Sequence, residues 1–144
     1  MADKDKMDVP EVQRLLTAAL RLQYRSALLY SITAGTVGGV EGLALGDLLA
    51  EHAALELADV QRLADKLVTL GGTPPADVPS FKVSLSTKTA LKALVKVEEE
   101  SLEALHKVIE PSGQEPRSEA LEHLMEHVIV RKQAQVDRLL RALR

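Results

Sequence analysis

The chain is 144 residues long, 46% apolar, 27% charged and 2% aromatic, with a formal net charge of -3. That size and balance describe one globular domain that can build its own core. With no cysteine there is no disulfide framework, thiol catalysis, iron–sulfur cluster or cysteine-based zinc site. The weak charge imbalance, no Trp, one Phe and two Tyr offer neither a basic footprint nor a stacking platform, so nucleic acid is not an expected partner.

Residues 1–8 alternate lysine and aspartate without an apolar run behind them, and are expected as a flexible lead-in instead of a secretory signal. No stretch approaches the roughly 18 uninterrupted apolar residues of a membrane span, so no membrane partner and a cytoplasmic setting are expected. Leucine and alanine then recur at spacings of three and four, the period of helices.

A first helix is predicted from about Pro10 to Ala34, capped by Asp8 and stopped by Gly35. A second is predicted from after the glycine-rich break at Gly35 to Gly42 as far as Leu70, before Gly71-Gly72-Thr73-Pro74-Pro75. Residues 71–86 contain three prolines and little helical period, and read as a long connection. A third helix is predicted from Ser86 or Thr87 to Glu110, and a fourth from between Pro116 and Ser118 almost to Arg144. The loop order of short, long, short predicts an all-α, antiparallel four-helix bundle spanning residues 1–144, with one long crossover between helices 2 and 3.

At about 100° per residue, each helix shows an apolar stripe interrupted near mid-length by polar residues. Gln23 interrupts the stripe of Val12, Leu16, Ala19, Leu20, Ala27 and Tyr30. Glu56 falls centrally in the second helix, with His52 and Asp59 on its flank. In the third helix Glu98 alone of Glu98-Glu99-Glu100 points with Leu91, Leu94, Val95, Leu102 and Leu105. Lys132 and Gln135 lie among Leu121, Leu124, Val128, Leu139 and Ala142 of the fourth. Any one such residue can turn to solvent, but four helices converging at one depth predict a polar layer, because an unpaired buried carboxylate costs several kcal/mol.

Helix order, loop lengths and the run Glu51-His52-Ala53-Ala54-Leu55-Glu56-Leu57-Ala58-Asp59 resemble the bacterioferritin branch of the ferritin-like superfamily. Members hold two irons with one Glu on each of the first and third helices and a Glu-x-x-His on each of the other two. The resemblance implies that the former di-iron positions are Gln23, Glu56, Asp59, Glu98, Lys132 and Gln135, with Tyr30 and His52 near the site. Only Glu56 and Glu98 keep the family's residue type. Four family carboxylates become three, and Lys132 adds a positive charge. A protonated lysine has no lone pair for a metal, so it is expected to join Glu56 and Glu98 in a buried salt-bridge cluster, with Gln23, Gln135 and Tyr30 supplying hydrogen bonds.

The implied function is a ferritin-like scaffold or binding protein with its ferroxidase centre lost, no catalytic residues and no cofactor. The alternative is an iron-binding ferroxidase or storage protein holding one or two iron ions, with Glu56, Asp59, Glu98 and His52 as ligands of a single ion. Leu57 stands where the family's haem-ligating methionine falls, so haem is not expected. Outward-facing Leu28, Ala54, Leu57 and Val130 point to a homodimer or higher homo-oligomer.

His123-Leu124-Met125-Glu126-His127 fits a short zinc-peptidase pattern, but both histidines lie off the inward stripe and are expected at the surface, as is His106. Lys88, Lys92 and Lys96 share a face with Glu99, Glu100 and Glu103, which reads as solvated surface.

Overall fold

The computed structural model describes residues 5–144. Four helices carry the chain: α1 (Val9–Thr36), α2 (Gly39–Thr69), α3 (Thr87–Lys107) and α4 (Pro116–Ala142), with a 3₁₀ turn at Glu110–Ser112. The predicted antiparallel bundle and its crossover between α2 and α3 are present. None of the described helices is long and apolar enough to cross a membrane.

Asp8 caps α1 by accepting from the Glu11 amide at 3.3 Å, and Pro10 occupies the first turn, where its missing N–H costs nothing. The α1–α2 break is shorter than the glycine pattern predicts. Only Val37 and Gly38 separate the helices, and Gly42 lies inside α2. A Cβ on Gly42 would lie 2.7 Å from the Val37 carbonyl carbon, so this glycine serves the close approach of the turn to the helix and does not end one.

The crossover, residues 70–86, runs back along α1. Gln13 Nε2 donates to Leu70 O at 2.5 Å, the Tyr24 hydroxyl donates to Pro75 O at 2.8 Å, and the Thr87 hydroxyl donates to Gly38 O at 3.2 Å at the far end.

α3 stops three residues before the expected Glu110, and the chain enters the 3₁₀ turn. α4 begins at Pro116. Ser118 lies inside the helix and donates its hydroxyl to Ser112 O.

The expected flexible lead-in divides. Residues 1–4 lie outside the described residues, whereas residues 5–8 are held against the α3–α4 connection. Met7, Asp8 and Gln114 amides donate to Glu115 Oε2, Pro111 O and Asp5 O at 2.8, 2.9 and 2.8 Å, and Met7 is buried. Gly113, at φ 74°, lets Lys6 O approach to 2.6 Å of where a Cβ would stand.

Two apolar clusters fill the bundle. One gathers Leu16, Leu20, Leu63, Leu67, Leu105, Met125 and Val128; the other gathers Leu29, Tyr30, Leu49, Leu91, Leu94, Val136 and Leu139. Small departures from the predicted stripes come from the width of a helix face. Met125 is buried where Leu124 is half-buried, and Ala142 is exposed.

Candidate functional site

Between the two apolar clusters lies a layer of buried polar side chains, one or more from each helix. Gln23, Glu56, Asp59, Glu98, Lys132 and Gln135 all fall within it and are at most 3% exposed. They come together for a local reason. Each replaces an aliphatic residue on the inward stripe of its helix, and the antiparallel packing brings the four midpoints to one height.

Lys132 Nζ is the hub. It donates to Glu56 Oε1 at 2.7 Å and Oε2 at 2.9 Å, to Glu98 Oε1 at 2.7 Å and to Gln23 Oε1 at 3.1 Å. Gln23 Nε2 donates to Glu56 Oε2 at 2.6 Å and to Glu56 O at 2.9 Å, so its amide oxygen is the atom left to face the amine. The amine thus meets three acceptor side chains. A neutral amine has two N–H groups and an ammonium has three, so the surroundings match the charged form. Gln135 Nε2 reaches Glu98 Oε2 at 3.1 Å.

Arg131 is the participant that the sequence reading misses. Its Nη2 donates to Glu56 Oε2 at 2.8 Å, its Nε to Asp59 Oδ2 at 2.7 Å and its Nη1 to Gln135 Oε1 at 2.5 Å. Arg62 reaches Asp59 Oδ1 from the surface at 2.5 Å. Three acidic side chains therefore face three cationic ones. The missed signal was the charge deficit itself: Glu56, Asp59 and Glu98 against Lys132 alone left two negative charges unanswered. Arg131 lies off the inward stripe of the fourth helix, yet its side chain is long enough to reach inward.

Burial would raise the Glu56 pKa, but the Lys132 charge, a hydrogen bond with Glu98 and the Arg131 charge outweigh it and hold the carboxyl at about 2. Glu98 goes the other way. Burial pushes it up to about 8, and repulsion by Glu56 adds to this against the pull of Lys132. The asymmetry follows from the contacts, since Glu56 receives Lys132, Arg131 and Gln23, whereas Glu98 shares Lys132 and otherwise meets a neutral amide.

Tyr30 is fully buried, but the expected hydrogen bond to the cluster is absent, and its hydroxyl has no partner. Burial first, and then Glu98 and Glu56, raise its pKa far above the usual phenol value. Its ring meets His52 edge to face, with centroids 5.5 Å apart. His52 is also buried, with Nδ1 unpartnered, and burial together with Arg138 lowers its pKa.

Among the described residues, no three His, Cys, Asp or Glu side chains gather into a group that could hold a metal ion. Glu56 and Glu98 turn to Lys132, Asp59 to Arg131 and Arg62, and His52 to Tyr30. His123, His127 and His106 are exposed, away from the layer, as are Glu99 and Glu100.

An antiparallel bundle with one long crossover and a mid-core charged layer defines the ferritin-like class of helical proteins. The Ferritin family model, described as a ferritin-like domain, matches residues 13–144, and the chain belongs to that family. A ferritin-like, diiron-carboxylate protein from Bacillus anthracis str. Ames is similar over the whole of both chains, with 24% identity and a TM-score of 0.89. The dodecameric thioferritin of Bacteroides fragilis, a bacterioferritin-related protein, matches with 19% identity and a TM-score of 0.86 over 96% of this chain and 87% of its own. The DPS protein of Vibrio cholerae O1, described as a member of a broad superfamily of ferritin-like diiron-carboxylate proteins, gives 16% identity and a TM-score of 0.85 over 94% and 91%. No curated protein matches.

Proposed function

We propose that the chain is a ferritin-family protein in which a fixed ion-paired layer takes the place of the di-iron centre, and that it serves as a non-catalytic scaffold or binding protein. The supporting observation is Lys132, whose buried nitrogen occupies the middle of the carboxylates. The residues present do not fit two ferrous ions. Gln23 and Gln135 bring no charge, Lys132 brings no lone pair, and both Glu56 oxygens already accept from cationic donors.

The deciding experiment loads purified protein with ferrous ion under anaerobic conditions, removes excess and measures bound iron, then follows oxygen uptake. The expected result is well under one iron per chain and oxidation no faster than in buffer. Stoichiometric iron with accelerated oxidation overturns the proposal. Restoring Gln23→Glu, Lys132→Glu, Asp59→His and Gln135→His, with Arg131→Ala to free Glu56 and keep a cation away from the new ligands, is expected to create iron binding if these are the family's ligand positions.

A second reading keeps one divalent ion on Glu56, Asp59, Glu98 and His52. The unpartnered Nδ1 of His52 favours it, but Lys132 and Arg131 would both have to withdraw, and the same metal analysis decides.

Self-association is part of the proposal. A groove of about 510 Å³ between α1 and α2 is lined by Tyr24, Leu28, Ala54, Leu57 and Val78, with Leu57 60% exposed. The Bacteroides fragilis relative is described as dodecameric. A homo-oligomer closing this groove is expected to dissociate in Leu57→Glu, read by light scattering.

A further inference from the structure

A second cleft, of about 170 Å³, opens between α2 and α4 on the far side of Arg131 from the carboxylates. It is lined by Glu51, His52, Leu55, Arg131, Gln135 and Arg138, with Ala134 completing the wall. Three observations mark it as more than a surface dent. His52 is 1% exposed, lines the cleft and has an enclosed Nδ1 without a partner. Arg138 joins none of the ion pairs among the described residues. Arg131, although committed to Glu56 and Asp59, retains 15% exposure of its side chain at this opening.

The charge of the lining selects the ligand. Arg131 is already matched by Glu56 and Asp59, so the charge that the cleft itself presents is Arg138 against Glu51, and it is the unpaired Arg138 guanidinium that offers an anion a partner. A guanidinium fork matches a planar carboxylate through two parallel hydrogen bonds. Glu51 on the rim opposes a second negative charge, and Leu55 and Ala134 provide room for a short aliphatic tail.

We propose that this cleft is a binding site for a small monocarboxylate, held by Arg138 and the open edge of Arg131 with the His52 imidazole as a third polar contact. The His52 ring is enclosed in the cleft wall, and an imidazole carries an N–H to donate. The site rests on the metal-free reading, since an ion on Glu56, Asp59, Glu98 and His52 would claim the imidazole and displace Arg131, but it requires no change in the Lys132 cluster.

The test is an NMR titration of the full chain with sodium acetate, sodium chloride and sodium phosphate at matched ionic strength, observing the His52 ring and Arg138 side-chain signals. Acetate is expected to give saturable shifts at both residues that chloride does not reproduce. Arg138→Gln is expected to weaken acetate by about tenfold or more, the loss of a charge-assisted pair. Its thermal midpoint without acetate should be unchanged, because Arg138 is exposed. Glu51→Gln is expected to tighten acetate. Shifts shared equally with chloride, or Arg138→Gln binding acetate as the parent does, would overturn the site. Phosphate binding tighter than acetate would overturn its assignment to a monocarboxylate.

Discussion

Replacing Lys132 by methionine keeps an unbranched side chain, one atom shorter, and removes its charge. The amine is fully enclosed and contacts both oxygens of Glu56, one of Glu98 and the amide of Gln23. Removing one side of a buried ion pair costs about 3–5 kcal/mol. Arg131 and Gln23 remain on Glu56, which places the expected loss at the lower end of that range. For a chain of this size, 3 kcal/mol lowers the thermal midpoint by roughly 10 °C. Adding Glu56→Gln removes the stranded charge and leaves Arg131 paired with Asp59, so the double variant is expected to recover part of the loss. In the single variant the deficit also narrows between pH 7 and pH 5, because Glu56 no longer has an ammonium holding its proton off. Urea denaturation of the four members of the cycle measures these quantities. A loss below about 1 kcal/mol would place the amine in water, the usual result for an exposed pair, and would refute the reasoning.

Three further outcomes follow from the same layer and its supports. Glu98, with a folded pKa raised to about 8, still holds a proton that the unfolded chain has released, so its contribution is full below about pH 4.5 and is lost as pH rises to 8. Glu56, held at about 2, contributes above about 4.5 and loses that contribution as pH falls towards 2. Glu98→Gln is therefore expected to flatten the slope of unfolding free energy against pH between 5 and 8 while leaving the acid limb. Tyr30→Phe deletes a hydroxyl that lacks a partner and should change stability by no more than about 1 kcal/mol, in either direction, in a urea titration. Gly42→Ala drives a methyl to 2.7 Å of the Val37 carbonyl carbon, and calorimetry is expected to show a loss of about 1–3 kcal/mol, the cost of overpacking.

Helix number, order and the long crossover were legible because they rest on apolar period and on proline-rich breaks, signals that survive without tertiary context. The inward placement of Gln23, Glu56, Glu98 and Lys132 was legible for the same reason, as each interrupts an otherwise aliphatic stripe. What escaped depends on reach and proximity across the fold. Arg131 enters the cluster along its own side chain, and Gly42 and Gly113 are explained by Val37 and Lys6 touching them, which no local pattern records. Tyr30 shows the opposite failure. Its inward position is legible, but whether its hydroxyl closes a hydrogen bond depends on final side-chain geometry, and the hydroxyl is left without a partner.

The charged layer also fixes which turn of each helix faces which. Leucine against leucine tolerates sliding, since one aliphatic contact replaces another at little cost. A slip of α4 by one turn, about 5.4 Å, would thrust an ammonium among leucines, carry Arg131 away with it, and leave Glu56, Asp59 and Glu98 with Arg62 alone. The interrupted middle of the bundle thus acts as a vernier mark: wherever the apolar ends would settle for several alignments, it admits one.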